Sequence, residues 1–276
     1  QGVSSVASDV YKRQPLGSVL AALTSGIERQ NPGMMCSVML LESDGKHLVN
    51  GHSGSLPAAF SAFIERLAIG PQIGSCGAAA FLGERVVAQD VSTHPNWVAF
   101  RDLARSDGIG ACWSQPIRNA AGTILGTFAL YHRETHEPDA HDIALIEQSA
   151  RLASIAIERS REATELAESL ERYRLIFEAT HDGVCIIQDW RFRVVNPGFC
   201  QLLGYRPDEL IGRALLDLVI ADDHDLIRAN HALRLRGGHD QLMYAVRMVS
   251  KAQGVRWVEV GGRRIEWDGH PATLNF

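Results

Sequence analysis

Apolar residues recur at helical spacing through "LGSVLAALTSGIERQNPG" (16–33), and the run stops at Asn31-Pro32-Gly33. "CSVMLLE" and "DGKHLVNG" (36–51) read as a hairpin with its turn at Asp44-Gly45. "PAAFSAFIERL" (57–67) predicts a second helix, opened by Pro57 in a first-turn position. A Gly-Pro loop leads into "GSCGAAAFLG", the start of another short helix, and then into the strand "RVVAQD" (85–90). Past a His-Pro break, "NWVAFRDLARSDG" (96–108) again has helical spacing. Two strong strands follow, "ACWSQPIRN" (111–119) and "TILGTFALYHR" (123–133), joined at Ala120-Ala121-Gly122.

A long helix is predicted from about Asp139. Ile143, Ile146, Ala150, Ala153 and Ile157 step by three and four. After a polar stretch the stripe resumes, shifted, at Leu166, Leu170, Tyr173 and Phe177, as a coiled-coil stutter would shift it. From Gly183 the pattern restarts. "GVCIIQD" and "FRVVN" form a second hairpin, and short helical pieces follow at "GFCQLLG", "RPDELIG" and "DDHDLIRANHALRLR". Three strands, "QLMYAVRMVS", "VRWVEVGGRRIEW" and "HPATLNF", complete the pattern. Both halves read as α+β, each an antiparallel sheet covered by helices on one face, joined by the long helix.

Composition narrows the picture. A chain of 276 residues with 46% hydrophobic and 21% charged residues has room for about two soluble domains. The net charge of −5 argues against phosphate-backbone binding, so no nucleic-acid partner is expected. No window reaches the roughly 20 apolar residues of a membrane span. Five cysteines without a C-x-x-C pair make neither a disulfide framework nor a zinc ribbon, which fits a reducing cytoplasm. The chain begins with Gln1, and "DVYKRQ" (9–14) resembles a translated transposon end, so residues 1–14 are expected to be a scar outside the fold.

The blocks "LAIGPQIGSCGAAAFLGERVVAQDVSTHPNW", "GACWSQPIRNAAGTILGTFALY" and "HDIALIEQSARLASIAIER" resemble a GAF domain, over residues 15–160. "FEATHDGVCIIQD", "VVNPGFCQLLGYRPDELIGR" and the late strands resemble a PAS domain, over 173–276, with 161–172 a helical linker. Gly198 stands where the PAS family usually has Ala or a similar residue. The family's closing Asp-Ile-Thr strand end is not reached by Phe276, so this PAS domain is expected to be truncated. The resemblance implies a bacterial sensory region that binds a small ligand between sheet and helices. It implies coupling through the 139–179 helix, paired in a homodimer, to an output domain: cyclic-di-GMP synthesis or breakdown, or alternatively a histidine kinase.

The candidate chemistry centres on Cys76. It stands between Ser75 and Gly77 at a helix start, either as a reactive thiol or as a small apolar filler beside a tight turn at Gly74 and Gly77. One GAF branch reduces free methionine sulfoxide, and its Cys-Gly-Thr-Ala stretch is similar to Cys76-Gly77-Ala78-Ala79. That branch carries a further cysteine in the segment where this chain has Trp97 and Phe100. Cys112 is followed by Trp113 rather than the His of bilin-attaching GAF domains, and strand alternation puts the two on opposite faces. Asp90 and Trp97 either recognise a polar or cationic ligand or cap a turn and cover the core edge. The GAF pocket candidates are therefore Cys76, Asp90, Trp97, Cys112 and Trp113. "HRETHEPDAH" holds His132, His136 and His141, but Pro138 interrupts any helical metal-ligand spacing, and no metal is expected. In the PAS half, "GRALLDL" lacks the cysteine of flavin photosensors. Haem PAS sensors use a histidine near the end of the long helix. His231 and His239 lie in that region, with His239 better placed counting back from Gly254. No cofactor is otherwise implied. The PAS pocket candidates are Asn196, His239 and Tyr244.

Overall fold

The computed structural model describes residues 16–236, 243–251 and 254–276. The chain divides into two compact units, residues 1–165 and 166–276. Among the described residues, no helix is long and apolar enough to cross a membrane.

The first unit contains α1 (Leu16–Gln30), β1 (Met34–Leu41), β2 (His47–His52), α2 (Ala58–Phe63), β3 (Arg66–Ala68), α3 (Gly74–Leu82) and β4 (Val86–Ala88). A 3₁₀ turn (Pro95–Trp97), α4 (Arg101–Ser106), β5 (Ala111–Arg118), β6 (Ile124–His132) and the first part of α5 (Ala140–Ala179) complete it. Its six strands form one sheet in the order β3-β2-β1-β6-β5-β4. Helices cover this sheet on both faces, not one. On β6, Phe128 and Leu130 join a core with Leu20 and Ile27 of α1 and Ile146, Ala150, Ala153 and Ile157 of α5. Ala129 and Tyr131 point the other way, into a core with Phe60 of α2, Cys76 of α3 and Trp97. Strands buried on both faces lose the apolar-polar alternation of a one-sided sheet, which is why "MMCSVMLL" reads as a continuous apolar run.

Two predicted helices come out shorter. The 57–67 segment is helical only over Ala58–Phe63, because Leu67 is drawn into β3, opposite Leu48 of β2. The 96–108 segment breaks into the 3₁₀ turn and α4, hinged near Phe100.

Helix α5 opens with reciprocal capping. The Asp142 N–H donates to Asp139 Oδ1 at 2.9 Å, and the Asp139 N–H donates to Asp142 Oδ2 at 3.0 Å. It buries residues as far as Ile157; further on, Leu166, Leu170 and Tyr173 are exposed.

The second unit contains the end of α5, then β7 (Cys185–Gln188), β8 (Arg191–Val195), α6 (Pro197–Leu203) and α7 (Pro207–Leu210). Two 3₁₀ turns lead to α8 (His224–Leu235), followed by β9 (Tyr244–Ser250), β10 (Gly254–Val260), β11 (Gly262–Trp267) and β12 (His270–Asn275). The predicted strand over "VRWVEVGGRRIEW" divides at Gly261-Gly262. Its first half pairs with β9, and its second half joins the sheet β11-β12-β7-β8. Gly261 ties the two together by exchanging backbone hydrogen bonds with Phe276, at 2.8 and 3.0 Å. A Cβ at Gly262 would lie 2.6 Å from the Leu274 carbonyl oxygen, so glycine is required at this bend.

Candidate functional site

In the first unit, Cys76, Trp97 and Cys112 line one small hollow, with Phe60, Phe100 and Tyr131. Gly74, at φ +54°, starts α3 in the left-handed region, and a Cβ at Gly77 would lie 2.7 Å from the Ala68 carbonyl oxygen. These two glycines let α3 sink onto the sheet and carry Cys76 inward. The hollow is nearly full. Phe60 stacks on Trp97 at 6.1 Å and meets Tyr131 edge-on at 5.8 Å. Trp97 Nε1–H donates to Ser75 Oγ at 3.0 Å, and Ser75 Oγ–H donates to the Cys112 carbonyl at 3.2 Å. The remaining cavity is about 20 Å³, space for roughly one water.

Two opposed effects act on the Cys76 thiol. A helix N-terminus favours the thiolate, and burial disfavours it. Burial wins: Cys76 is 5% exposed and its pKa is raised first by desolvation, against the Tyr131 hydroxyl 3.8 Å from its sulfur. The Cys112 thiol is raised in the same way, by burial first and then by Cys76.

The other two residues named for this pocket do not line it. Asp90 builds its own turn, accepting from the Ser92 N–H at 2.8 Å and the Ser92 hydroxyl at 2.6 Å. Trp113 lies on the opposite face of the sheet, in the core under α1 and α5. There it packs against His132 and His136, at 4.7 and 5.2 Å between ring centres.

The second unit holds a larger chamber, of about 430 Å³, between its strands and α8. Ile187, Phe192, Leu215, Val246 and Met248 supply apolar wall. On α8, Ile227, His231 and Arg234 follow at i, i+4 and i+7, so one helical face turns all three inward. Arg234 Nη1 donates to Asn275 Oδ1 at 3.0 Å and Nη2 to the Val260 carbonyl at 3.2 Å. Its guanidinium lies 5.0 Å from the centre of the Tyr244 ring. Asn275 Nδ2 donates to the Thr273 carbonyl and hydroxyl oxygens, both at 3.1 Å. The Thr273 hydroxyl is 3.4 Å from His231 Nδ1, and the His231 ring packs on Trp190 at 4.4 Å. A polar chain thus runs along one wall from β10 through Arg234 and β12 to His231.

Arg234 shapes the electrostatics of that wall. Burial pushes the Cys185 thiol up to about 12, with Arg234 pulling in the other direction. Burial lowers the pKa of His231, and the nearby guanidinium lowers it further. Tyr244 is raised by burial, again opposed by Arg234.

Of the PAS pocket candidates, Tyr244 lines the chamber and His239 lies outside the described residues. Asn196 does not line the chamber. It is fully buried at the N-cap of α6, where its Oδ1 accepts from the Phe199 N–H and the Val184 N–H, both at 2.8 Å. Its Nδ2 lies within hydrogen-bonding distance of the carbonyls of Phe177, Thr180 and Asp182, at 3.2, 3.3 and 2.9 Å. One amide therefore fastens the last turn of α5 to the start of α6. Arg234 and Asn275, which share the wall with His231, carry no motif that marks them in the sequence. The readable signal was the spacing of Ile227, His231 and Arg234 on one helical face.

Comparison with known proteins agrees with this architecture. Residues 14–158 match the GAF domain family and residues 192–275 match the PAS fold. The chain belongs to the GAF domain family, with a PAS domain following, an arrangement consistent with a sensory region of a signalling protein. It is similar to the methyl sulfide methyltransferase-associated sensor of Methanosarcina acetivorans, with 31% identity over 257 residues, covering 92% of this chain and 26% of that protein. The chain thus spans about a quarter of the length of that curated relative. Among solved structures, the E. coli DhaR(N)-DhaL complex has 18% identity and a TM-score of 0.49, covering 100% of this chain and 90% of that chain. Free methionine-R-sulfoxide reductase from Neisseria meningitidis has 21% identity and a TM-score of 0.45, covering 57% of this chain and 87% of that chain. The PAS domain of an HTR-like protein from Haloarcula marismortui has 24% identity and a TM-score of 0.37, covering 42% and 94%.

Proposed function

We propose that this GAF–PAS region detects a small molecule in the PAS chamber and passes its occupancy along α5 to an output domain. The carrying observation is the difference in free volume: about 430 Å³ in the PAS unit against about 20 Å³ in the GAF hollow. Ligand sites of small molecules usually occupy about 300–1,000 Å³. The GAF unit then serves as a closed platform for the first half of α5. The exposed Leu166, Leu170 and Tyr173 support pairing with the same helix of a second copy, in a cytoplasmic homodimer. The proposed output is cyclic-di-GMP synthesis or breakdown, with a histidine kinase as the alternative. Ligand binding would shift the population of helix-pair arrangements.

On this reading the region itself performs no chemistry. The rival reading, a thiol reductase acting through Cys76, is favoured by the Cys76-Gly77 stretch alone. A buried thiol with a raised pKa, beside space for one water, supports a packing role instead. The test is a thermal-shift screen of small metabolites on the wild type, Val246→Trp and Cys76→Ser, each first checked for native circular dichroism. The reading expects hits that Val246→Trp abolishes and Cys76→Ser leaves alone. Sulfoxide reduction lost in Cys76→Ser would support the enzyme.

A further inference from the structure

Helix α5 ends at Ala179, and His181, Asp182 and Gly183 already line the PAS chamber, just before β7 begins at Cys185. This short strap has almost no slack. Thr180 is tied back into the last turn of α5, its N–H and its hydroxyl both donating to the Ile176 carbonyl, at 3.2 and 2.7 Å. At the other end the Val184 N–H donates to Asn196 Oδ1 at 2.8 Å, and the Val184 carbonyl accepts from the Asn196 N–H at 2.9 Å.

Two residues at the start of α6 hold the strap down. Asn196 Nδ2 gathers the carbonyls of Phe177, Thr180 and Asp182. Gly198 supplies the seat: a Cβ there would stand 2.8, 2.8 and 2.6 Å from the carbonyl oxygens of Thr180, His181 and Asp182. Only glycine leaves room for three successive carbonyls to approach this closely. Gly183 is crowded as well, since a Cβ on it would lie 3.1 Å from both Cα and Cδ2 of Phe199, itself a wall of the chamber.

A molecule that fills the chamber meets the strap from inside, and a strap without slack moves only if one of its two attachments moves with it. Helix α6 is the fixed side, because Gly198, Phe199, Cys200 and Leu203 are all buried. The last turn of α5 is the loose side: Leu175 is 58% and Ile176 62% exposed, so few contacts oppose its opening.

We infer that residues 180–183 form a strap that couples occupancy of the PAS chamber to the last turn of α5, with Asn196 and Gly198 as its seat. This rests on the reading of the chamber as the ligand site and names the route by which occupancy leaves it.

The test is hydrogen exchange, read by mass spectrometry, on the full chain as wild type and as Val246→Trp, which places an indole in the chamber. Val246 lies on β9, far along the chain from the strap, so an effect on the strap is carried by packing around the chamber. Val246→Trp should speed exchange across 176–184 by about tenfold, the worth of one hydrogen bond. Gly198→Ala puts a methyl where the carbonyls lie and should speed the same segment by itself. Adding Val246→Trp to it should then change the rate by no more than about twofold, because the strap is already off its seat. Unchanged exchange across 176–184 in Val246→Trp overturns the inference. Effects of the two substitutions that simply multiply overturn the assignment of the seat to Gly198. If Gly198→Ala does not fold, the wild type and Val246→Trp decide alone; Met248→Trp replaces Val246→Trp if that variant does not fold. The indole is itself the occupant, so a metabolite screen without hits would sink the ligand reading and leave the strap standing.

Discussion

The two units solve the same problem in opposite ways. Each has antiparallel strands with helices laid against them, and each could enclose a hollow. In the GAF unit, Phe60, Trp97, Phe100 and Tyr131 meet there, and their rings interlock at centre distances from 5.8 to 6.1 Å. Large aromatic rings fill the space that a ligand would need. In the PAS unit aromatic side chains, among them Phe192, Phe199, Tyr244 and Trp257, also line the corresponding region, but they stand around its walls and it keeps about 430 Å³ of free volume. The difference in free volume therefore lies in where the side chains stand rather than in topology.

That contrast can be broken most severely at Trp97. Trp97→Ala should open the closed hollow and cost the GAF unit about 3–5 kcal/mol, read as a loss in its denaturant midpoint with the PAS unit unaffected. Next in size is Asn196→Ala, which strips a buried amide from both helix ends it joins. A loss of about 2–4 kcal/mol is expected, confined to the PAS transition, with earlier hydrogen exchange at the end of α5. Asn196→Asp, which keeps the acceptor but loses the donor, should recover only part of it.

Val246→Phe sharpens the comparison from the other side. It places an aromatic ring in the open chamber, as the GAF unit already does, and should cost less than the roughly 1–3 kcal/mol of overpacking a full core. Any ligand-induced rise in melting temperature should disappear with it.

The smallest effect is on pH. His231 and His132 both have folded-state pKa values below their ordinary 6.5, through burial in each case, with Arg234 second for His231 and His136 second for His132. A neutral folded histidine and a protonatable unfolded one make stability complete above pH 6.5 and progressively lower as pH falls from there toward the depressed folded values. His231→Gln should flatten that slope in the PAS transition alone, in melting curves between pH 7.5 and 5.5.

Much of this architecture is legible in the sequence. The hairpin at Asp44-Gly45, the strands of 111–119 and 123–133, and the long helix all announce themselves through local periodicity and turn residues. What escaped depends on the partner an element meets. Alternation separated Cys112 from Trp113, but with both faces of the sheet buried it could not say which face held the hollow. Asn196 precedes Pro197 as an N-cap would, yet its reach to the carbonyls of Phe177 in the last turn of α5 and of Thr180 and Asp182 just after it is set by tertiary folding. His231 shares helical phase with Ile227 and Arg234 and lines the chamber, a placement that linear counting from Gly254 does not give. The division at Gly261-Gly262 was written in the two glycines, but a glycine pair marks a bend without saying which sheet each half will join.

Xenon tests the contrast between the two hollows without a variant or a known ligand, because xenon enters empty apolar cavities and not filled ones. Crystals of the chain under xenon pressure should show the gas beside Val246 and Met248 and none beside Cys76. Xenon at Cys76, with the PAS chamber left empty, would contradict the account.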